Sequence, residues 1–395
     1  MTSGAPVLVA GAGIGGLTAA ICLMRADIPA RVFEQAAVLG EIGAGIQVSA
    51  NAGRVYRDIG LMDAIEAAGA LPETYRFRMF DDGAVLQEIP LGEAYRARHG
   101  VPYVTIHRAD LHSILVDAVH RLAVDAVRLG ARVDDFTQDG AGIVLRLAGG
   151  ETICGVALVG ADGVKSTVRR LLIGDPPARY TGDAVWRAIV PAEALPPAYR
   201  DNAVDIWVGP GRHAVTYPLR GGRFVNFVGC VEHPGFEDES WTTAHPWEEM
   251  RDDFAGWHPR IGAIIEAADR GQCYRWALRI REPADNWSDG RVTLLGDAAH
   301  ATLPYMAQGA AMAVEDAAVL ARCLCAGDPV VDAIGRYQRN RIPRTTRIVN
   351  ESTANRALFH LPDRQALRDA FARRDMNAER TAWLFSYDAL TVPLD

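Results

Sequence analysis

Residues 7–16 read Val-Leu-Val-Ala-Gly-Ala-Gly-Ile-Gly-Gly, an apolar strand running straight into a Gly-x-Gly-x-x-Gly turn. Gly11 permits the sharp turn after the strand, Gly13 lets the backbone close on a pyrophosphate, and Gly16 allows tight packing of helix on strand. The helix is predicted to start near Ile14, so that its free N–H groups, Gly15 included, face the anion. A second strand, Ala30-Arg31-Val32-Phe33-Glu34, ends in an acid 23 residues after Gly11. A carboxylate at about that spacing accepts from a ribose hydroxyl, and Gln35 stands beside it as a further candidate contact.

Two more glycine signatures follow: Gly160-Ala161-Asp162-Gly163-Val164-Lys165-Ser166 and Leu294-Leu295-Gly296-Asp297-Ala298-Ala299-His300. A lone glycine fingerprint reports only a tight turn beside a helix. Three such signatures in this order predict one long, folded-over dinucleotide, held along its whole length. That dinucleotide is FAD, bound non-covalently. The Gly-x-Gly-x-x-Gly pattern occurs once, which leaves no second Rossmann unit for a nicotinamide cofactor.

The chain has 395 residues, 49% hydrophobic and 23% charged, as expected of a globular enzyme with a sizeable core. Its net charge of −8 argues against nucleic-acid or anionic-membrane partners. The six cysteines show no CxxC spacing, so neither a disulfide framework nor a metal site is expected. The first strand begins within a few residues of the N-terminus and no apolar run reaches the ~18 residues of a membrane span, which together predict a cytoplasmic protein.

The fold class expected is α/β: a Rossmann-like FAD-binding domain with an inserted β-sheet substrate domain and C-terminal helices. Residues 1–73, 100–179 and 276–330 make the discontinuous FAD-binding domain. Residues 74–99 and 180–275 make the β-rich substrate domain, and 331–395 form a helical C-terminal segment. Residues 42–70 read as a loop followed by a helix, residues 74–106 as strands, and a long helix is predicted around Met312–Ala326. Glu315-Asp316 on that helix reads as a solvated face or a helix contact, and His300 as a residue orienting the loop after Gly296-Asp297.

With these motifs placed, the chain resembles the single-component FAD-dependent aromatic hydroxylases, over almost its full length. The most specific element is Gly160-Ala161-Asp162-Gly163 followed by Ser166-x-x-Arg169. In that family the segment is associated with both FAD and NAD(P)H. Gly296-Asp297 is similar to the family's second FAD motif, and Arg108 resembles its FAD-contacting arginine at a helix start. Three stretches resemble the 3-hydroxybenzoate 6-hydroxylase, salicylate hydroxylase and 6-hydroxynicotinate 3-monooxygenase group. They are Glu41-Ile42-Gly43-Ala44-Gly45-Ile46-Gln47, Pro304-Tyr305-Met306-Ala307-Gln308-Gly309-Ala310 and Ile342-Pro343-Arg344-Thr345. The resemblance implies cofactor contacts at Gly45, Gln47, Gln308, Gly309 and Ala310. Gln47 and Tyr305 stand where the hydroxynicotinate enzymes would carry histidines, which weighs against a pyridine substrate.

The implied reaction takes NADH or NADPH as a transient reductant and dioxygen as co-substrate. A flavin C4a-hydroperoxide then hydroxylates a small hydroxylated aromatic acid: 3-hydroxybenzoate, salicylate or 6-hydroxynicotinate. Family members are often homodimers. Such a ring reacts best once its phenol is deprotonated, so a base is needed in a dry pocket. His213 and Tyr217 are four apart on a predicted strand with Val215 between them, which puts all three on one sheet face. An imidazole of ordinary pKa, about 6.5, is poised to take a phenol proton. Tyr217 would orient the substrate, and the resemblance places Tyr305 beside the flavin ring. Two other readings stay open: a flavin oxidoreductase of the same fold that inserts no oxygen, of the geranylgeranyl reductase kind, and a non-catalytic flavin-binding protein.

Overall fold

The computed structural model describes residues 4–40, 44–174, 178–236, 238, 243–374 and 381–395; Glu41, Ile42 and Gly43 of the resemblance stretch lie outside these. The apolar strand Val7–Ala10 sits at the centre of a six-stranded sheet. It pairs in parallel with Ala157–Gly160 on one side and Ala30–Phe33 on the other. The sheet extends in parallel to Val292–Leu294 beyond one neighbour and to Val127–Arg128 beyond the other. Thus the strands that precede all three glycine signatures lie side by side. Their turns emerge at the same carboxyl edge, where ligands bind in open parallel sheets.

A seven-stranded sheet is built from residues 74–90 and 179–280. Its middle strands, Ala203–Gly209, Arg212–Leu219 and Phe224–Glu232, form an antiparallel meander. Thr74–Met79 pairs with Ala203–Val208 in parallel, so this sheet is mixed. A small sheet of Val133–Gln138, Ile143–Leu147 and Thr152–Gly155 stands apart.

Two local expectations fail. Gly45–Val48, read as loop, is a strand paired with Val104–His107. Gly92–His99, inside a stretch read as strands, is a helix that buries Tyr95 and His99. Those two residues are one helical turn apart and make a stripe too short to show as periodicity.

The helix Gly309–Cys325 packs against the first helix, Ile14–Arg25, at very close range. A Cβ at Gly15 would stand 3.0 Å from that of Ala313, so a larger residue would separate the two helices. Glu315 and Asp316 on this helix are fully buried, which corrects the solvated-face reading. They meet arginines of the 30-residue helix Val330–Phe359. Arg341 donates to Asp316 Oδ1 at 2.6 Å and Glu315 Oε2 at 2.7 Å, while Arg344 donates to Glu315 Oε1 at 2.9 Å. Burial alone would push the Asp316 carboxyl up; His300 and Arg341 beside it hold it down at about 2.

This cluster positions the third glycine turn. Asp316 Oδ2 accepts from the Gly296 N–H at 3.1 Å and lies 2.6 Å from His300 Nε2. His300 is therefore structural, as expected from its place after the motif. Breaking a buried pair by removing one partner leaves an uncompensated charge and costs about 3 kcal/mol or more. Arg341→Leu is therefore expected to lower the thermal midpoint of the flavin-bound protein by several degrees. A midpoint equal to the wild type in a thermal scan would show that the cluster contributes nothing to stability.

Candidate active site

A cavity of about 320 Å³ opens where the carboxyl edge of the parallel sheet meets the seven-stranded sheet. Gly13, Ile14 and Gly15 line it from the first turn, Gly163 from the second, and Gly296 and Asp297 from the third. Gly45, Gln47 and Arg108 contribute from the paired strands and the helix that follows them. Gly309 and Ala310, at the start of the helix Gly309–Cys325, also line it. A second cavity of about 210 Å³ is lined by Gly11, Glu34, Gln35 and Asp162, and shares Gly13 and Gly163 with the first. The two form a run that passes the first glycine turn at its middle, the shape an extended dinucleotide requires.

The turn itself suits a pyrophosphate. Gly11 takes φ +102°, and a Cβ there would lie 2.5 Å from the Ala161 carbonyl oxygen. A Cβ at Gly16 would lie 2.1 Å from the Gly11 carbonyl oxygen, so Gly16 acts in packing and lines neither cavity. A Cβ at Gly13 would meet no protein atom within 4 Å. Gly13 also precedes the first helical residue and supplies no side-chain cap to the N–H groups behind it. An open cradle over uncapped helical N–H groups is what an anion needs.

Glu34 closes on this turn. Its Oε2 accepts from the Ala12 N–H at 2.8 Å and its Oε1 from the Ala36 N–H at 2.9 Å. A carboxylate offers about four acceptor positions, so a ribose hydroxyl can still be met. His112 Nε2 lies 2.8 Å from the Ala12 carbonyl oxygen and braces the turn from the helix Arg108–Leu122. No motif in the sequence pointed to it.

Two residues expected at the cofactor have their side chains engaged by protein partners, although Asp162 still lines the second cavity. Gln308 is buried, donating to Ser49 Oγ at 3.1 Å and accepting from Asn51 at 2.9 Å, and lies outside the cavity lining. The Asp162 carboxylate accepts from Ser166 Oγ and from the N–H groups of Thr167 at 2.7 Å and Val168 at 3.1 Å. It holds the start of the next helix, which leaves the backbone of residues 161–163 to face the cavities.

The wall opposite the glycine turns is one face of the seven-stranded sheet. His213, Val215 and Tyr217 line it, as period-2 geometry requires. Their paired strand presents Cys230 opposite His213 and Val228 opposite Val215. Arg187, opposite Val228 on the next strand, also lines the cavity, with its guanidinium 4.4 Å from the centre of the Trp276 ring. Sequence reasoning passed over Arg187, because one arginine in a long strand carries no pattern. Asn226, in register with Tyr217, accepts from the Gly45 N–H at 2.8 Å and links this sheet to the strand bearing Gln47. Gly45 is required there, since a Cβ would lie 2.4 Å from the Tyr217 ring.

Two expectations about side chains at this wall are corrected. His213 does not keep an ordinary imidazole pKa; complete burial, with His360 beside it, pushes it well below 6.5. Tyr305 is buried, and its hydroxyl donates to Asp183 Oδ2 at 2.6 Å, away from the cavity. Asp183 is itself fully buried and needs donors, which it takes from Tyr305 and Arg356. The Tyr305 ring instead packs edge-on against His213, with centres 4.6 Å apart.

A mainly parallel sheet with three glycine turns lining cavities at its carboxyl edge, and a second sheet facing that edge, define a dinucleotide-binding architecture with a pocket between its two sheets. The chain belongs to the FAD-binding-domain family, whose match spans residues 4–352. It is 41% identical to a 3-hydroxybenzoate 6-hydroxylase of Polaromonas naphthalenivorans strain CJ2, over 98% of this chain and 94% of that protein. It is 38% identical to a 3-amino-4-hydroxybenzoate 2-monooxygenase of Streptomyces platensis, over 98% and 97%. Among solved structures, Klebsiella pneumoniae HpxO complexed with FAD and uric acid superposes with a TM-score of 0.85 at 28% identity, covering 99% of this chain and 98% of that one. The chain is thus a FAD-dependent monooxygenase of the aromatic-hydroxylase kind. Neither other reading, the oxygen-independent oxidoreductase or the non-catalytic flavin protein, draws support from these relatives. Among the described residues, no helix is long and apolar enough to cross a membrane.

Proposed function

We propose that this protein uses NADH or NADPH and dioxygen to hydroxylate a small aromatic acid that already carries a ring hydroxyl, of the 3-hydroxybenzoate type. The observation that carries this reading is the composition of the wall facing the glycine turns. It offers apolar Val215 and Val228 for a ring, Arg187 for a carboxylate, and His213 with Tyr217 for a phenol. Of the substrates considered, 3-hydroxybenzoate stands first, followed by salicylate and then 6-hydroxynicotinate. The Streptomyces relative adds 3-amino-4-hydroxybenzoate, which presents the same pairing of acid and phenol.

FAD, when bound, supplies the activated oxygen and accepts the reductant's electrons. The chain's own groups do the rest. A guanidinium pairs with a carboxylate in a fixed fork, so Arg187 sets which end of the ring enters. A free phenol has a pKa near 10 and is mostly protonated at neutral pH. His213, kept neutral by burial, takes that proton. Tyr217 stays protonated, because burial pushes its phenol up, and so serves as a donor that orients the substrate. The apolar side chains keep bulk water from the reacting ring.

The test is NAD(P)H oxidation by purified protein against a panel of hydroxybenzoates and hydroxypyridines, with product and hydrogen peroxide measured separately. One acid is expected to accelerate oxidation and to yield close to one hydroxylated product per NAD(P)H. Peroxide equal to the NAD(P)H consumed, with every acid tried, would overturn the reading.

A further inference from the structure

Behind His213 a line of titratable groups leads away from the cavity. His213 Nδ1 lies 2.8 Å from His360 Nε2, and His360 Nδ1 lies 3.1 Å from Glu232 Oε1. Both imidazoles are buried, while the Glu232 side chain is 41% exposed. Three side chains therefore connect the cavity wall to bulk water, with a hydrogen-bond distance at each step. They come from two neighbouring strands and the end of the 30-residue helix, positions 147 and 128 residues apart in the chain. The charged groups packed around this line are Asp183 and Arg356. Arg356 donates to both Asp183 oxygens at 2.6 and 2.7 Å and reaches Glu232 at 3.5 Å. Tyr305 and Cys230 flank His213.

The hydrogen-bond directions follow from one end. An ionised carboxylate only accepts, so His360 carries its hydrogen on Nδ1 and presents a lone pair at Nε2. That lone pair is met by an N–H at His213 Nδ1. His213 is thereby left with a lone pair at Nε2, the nitrogen that remains for a group in the cavity. Glu232, acting through two rings, selects the tautomer of His213 that can serve as a base.

We propose that His360 and Glu232 are positioning residues that hold His213 in its base form and carry the substrate's phenolic proton to solvent. This rests on the reading of His213 as the base. As the phenol O–H breaks, an N–H forms at His213 Nε2. The hydrogen on His213 Nδ1 passes to His360 Nε2, and that on His360 Nδ1 passes to Glu232, which releases it to water. One proton enters and one leaves, no redox change occurs, and neither ring keeps a charge. The same passage in reverse returns a proton when the product phenol forms, and restores both tautomers. A relay also fits the burial of His213, which disfavours keeping the proton on its ring.

Nitrogen NMR of the flavin-bound protein with labelled histidine reads the tautomers with no substrate present, with His213→Asn and His360→Phe identifying the signals. Wild type is expected to show the Nδ1–H form at both His213 and His360. In Glu232→Gln, where an amide can donate as well as accept, both should become mixtures. The ionisation of bound 3-hydroxybenzoate, followed by absorbance across neutral pH, should shift upward in Glu232→Gln and in His360→Phe. Hydroxylation should slow by about 10-fold or more in each, at unchanged flavin content. An Nε2–H tautomer at His213 in the wild type overturns the proposal. So do unchanged tautomers in Glu232→Gln, a change that keeps the size and shape of a part-exposed side chain. If His213→Ala loses hydroxylation while both relay variants match the wild type, the relay is wrong and the base assignment stands. If His213→Ala is also silent, both fall.

Discussion

Gly13→Val is expected to give a folded but colourless protein. Position 13 has an ordinary extended backbone, with φ −73° and ψ 179°, so valine is not strained there. A Cβ at this position meets no protein atom within 4 Å. The added side chain therefore projects into the space where the two cavities join, and only a ligand would feel it. Replacing Gly11 or Gly16 would not separate these effects, because a Cβ at either collides with a backbone carbonyl oxygen. Flavin released by denaturation should fall from about one FAD per chain to near zero, while circular dichroism and apoprotein stability stay close to wild type. A yellow Gly13→Val protein with full flavin content would mean that the pyrophosphate does not cross this turn.

His213→Ala should slow hydroxylation by at least about 10²-fold, the contribution typical of a positioned general base. Flavin content should not change, since His213 belongs to the sheet opposite the three glycine turns. NADH should still be consumed, with most of it recovered as hydrogen peroxide. Because burial holds the ring neutral, the wild type should show no loss of rate near the usual histidine pKa as pH falls toward 6. Stopped-flow and product analysis check both points. Wild-type turnover and coupling in His213→Ala, from about pH 6 to 9, would remove His213 from the base role.

Much of the cofactor half was legible because its chemistry is local. A strand, a glycine turn and an acid 23 residues on lie within one βαβ unit, so spacing alone carries the geometry. The substrate wall was half legible. Alternation along one strand puts His213, Val215 and Tyr217 together, whereas Arg187 and Cys230 arrive on neighbouring strands through pairing that no local pattern announces. The support behind that wall was not legible at all. His360 comes to His213 from 147 residues away, and Asp183 turns the Tyr305 hydroxyl from the cavity across 122 residues. The buried pair Glu315 and Asp316 left a solvated face and a helix contact both open, because the arginine partners that decide for the helix contact lie on another helix. Gly45–Val48 looked like a loop for the same reason: its partner strand begins at Val104.

Oxygen insertion is the central event, and it leaves a mark in the product. The hydroxybenzoate panel run with NADH or NADPH under dioxygen labelled with heavy oxygen, followed by mass spectrometry, reads that mark. One labelled oxygen atom should appear in the new ring hydroxyl of the product from 3-hydroxybenzoate or a close relative of it. None should appear when the label is supplied as water instead. NAD(P)H consumption with no labelled product from any phenolic acid, or a product hydroxyl that takes its oxygen from water, would contradict the assignment of this protein as an aromatic hydroxylase.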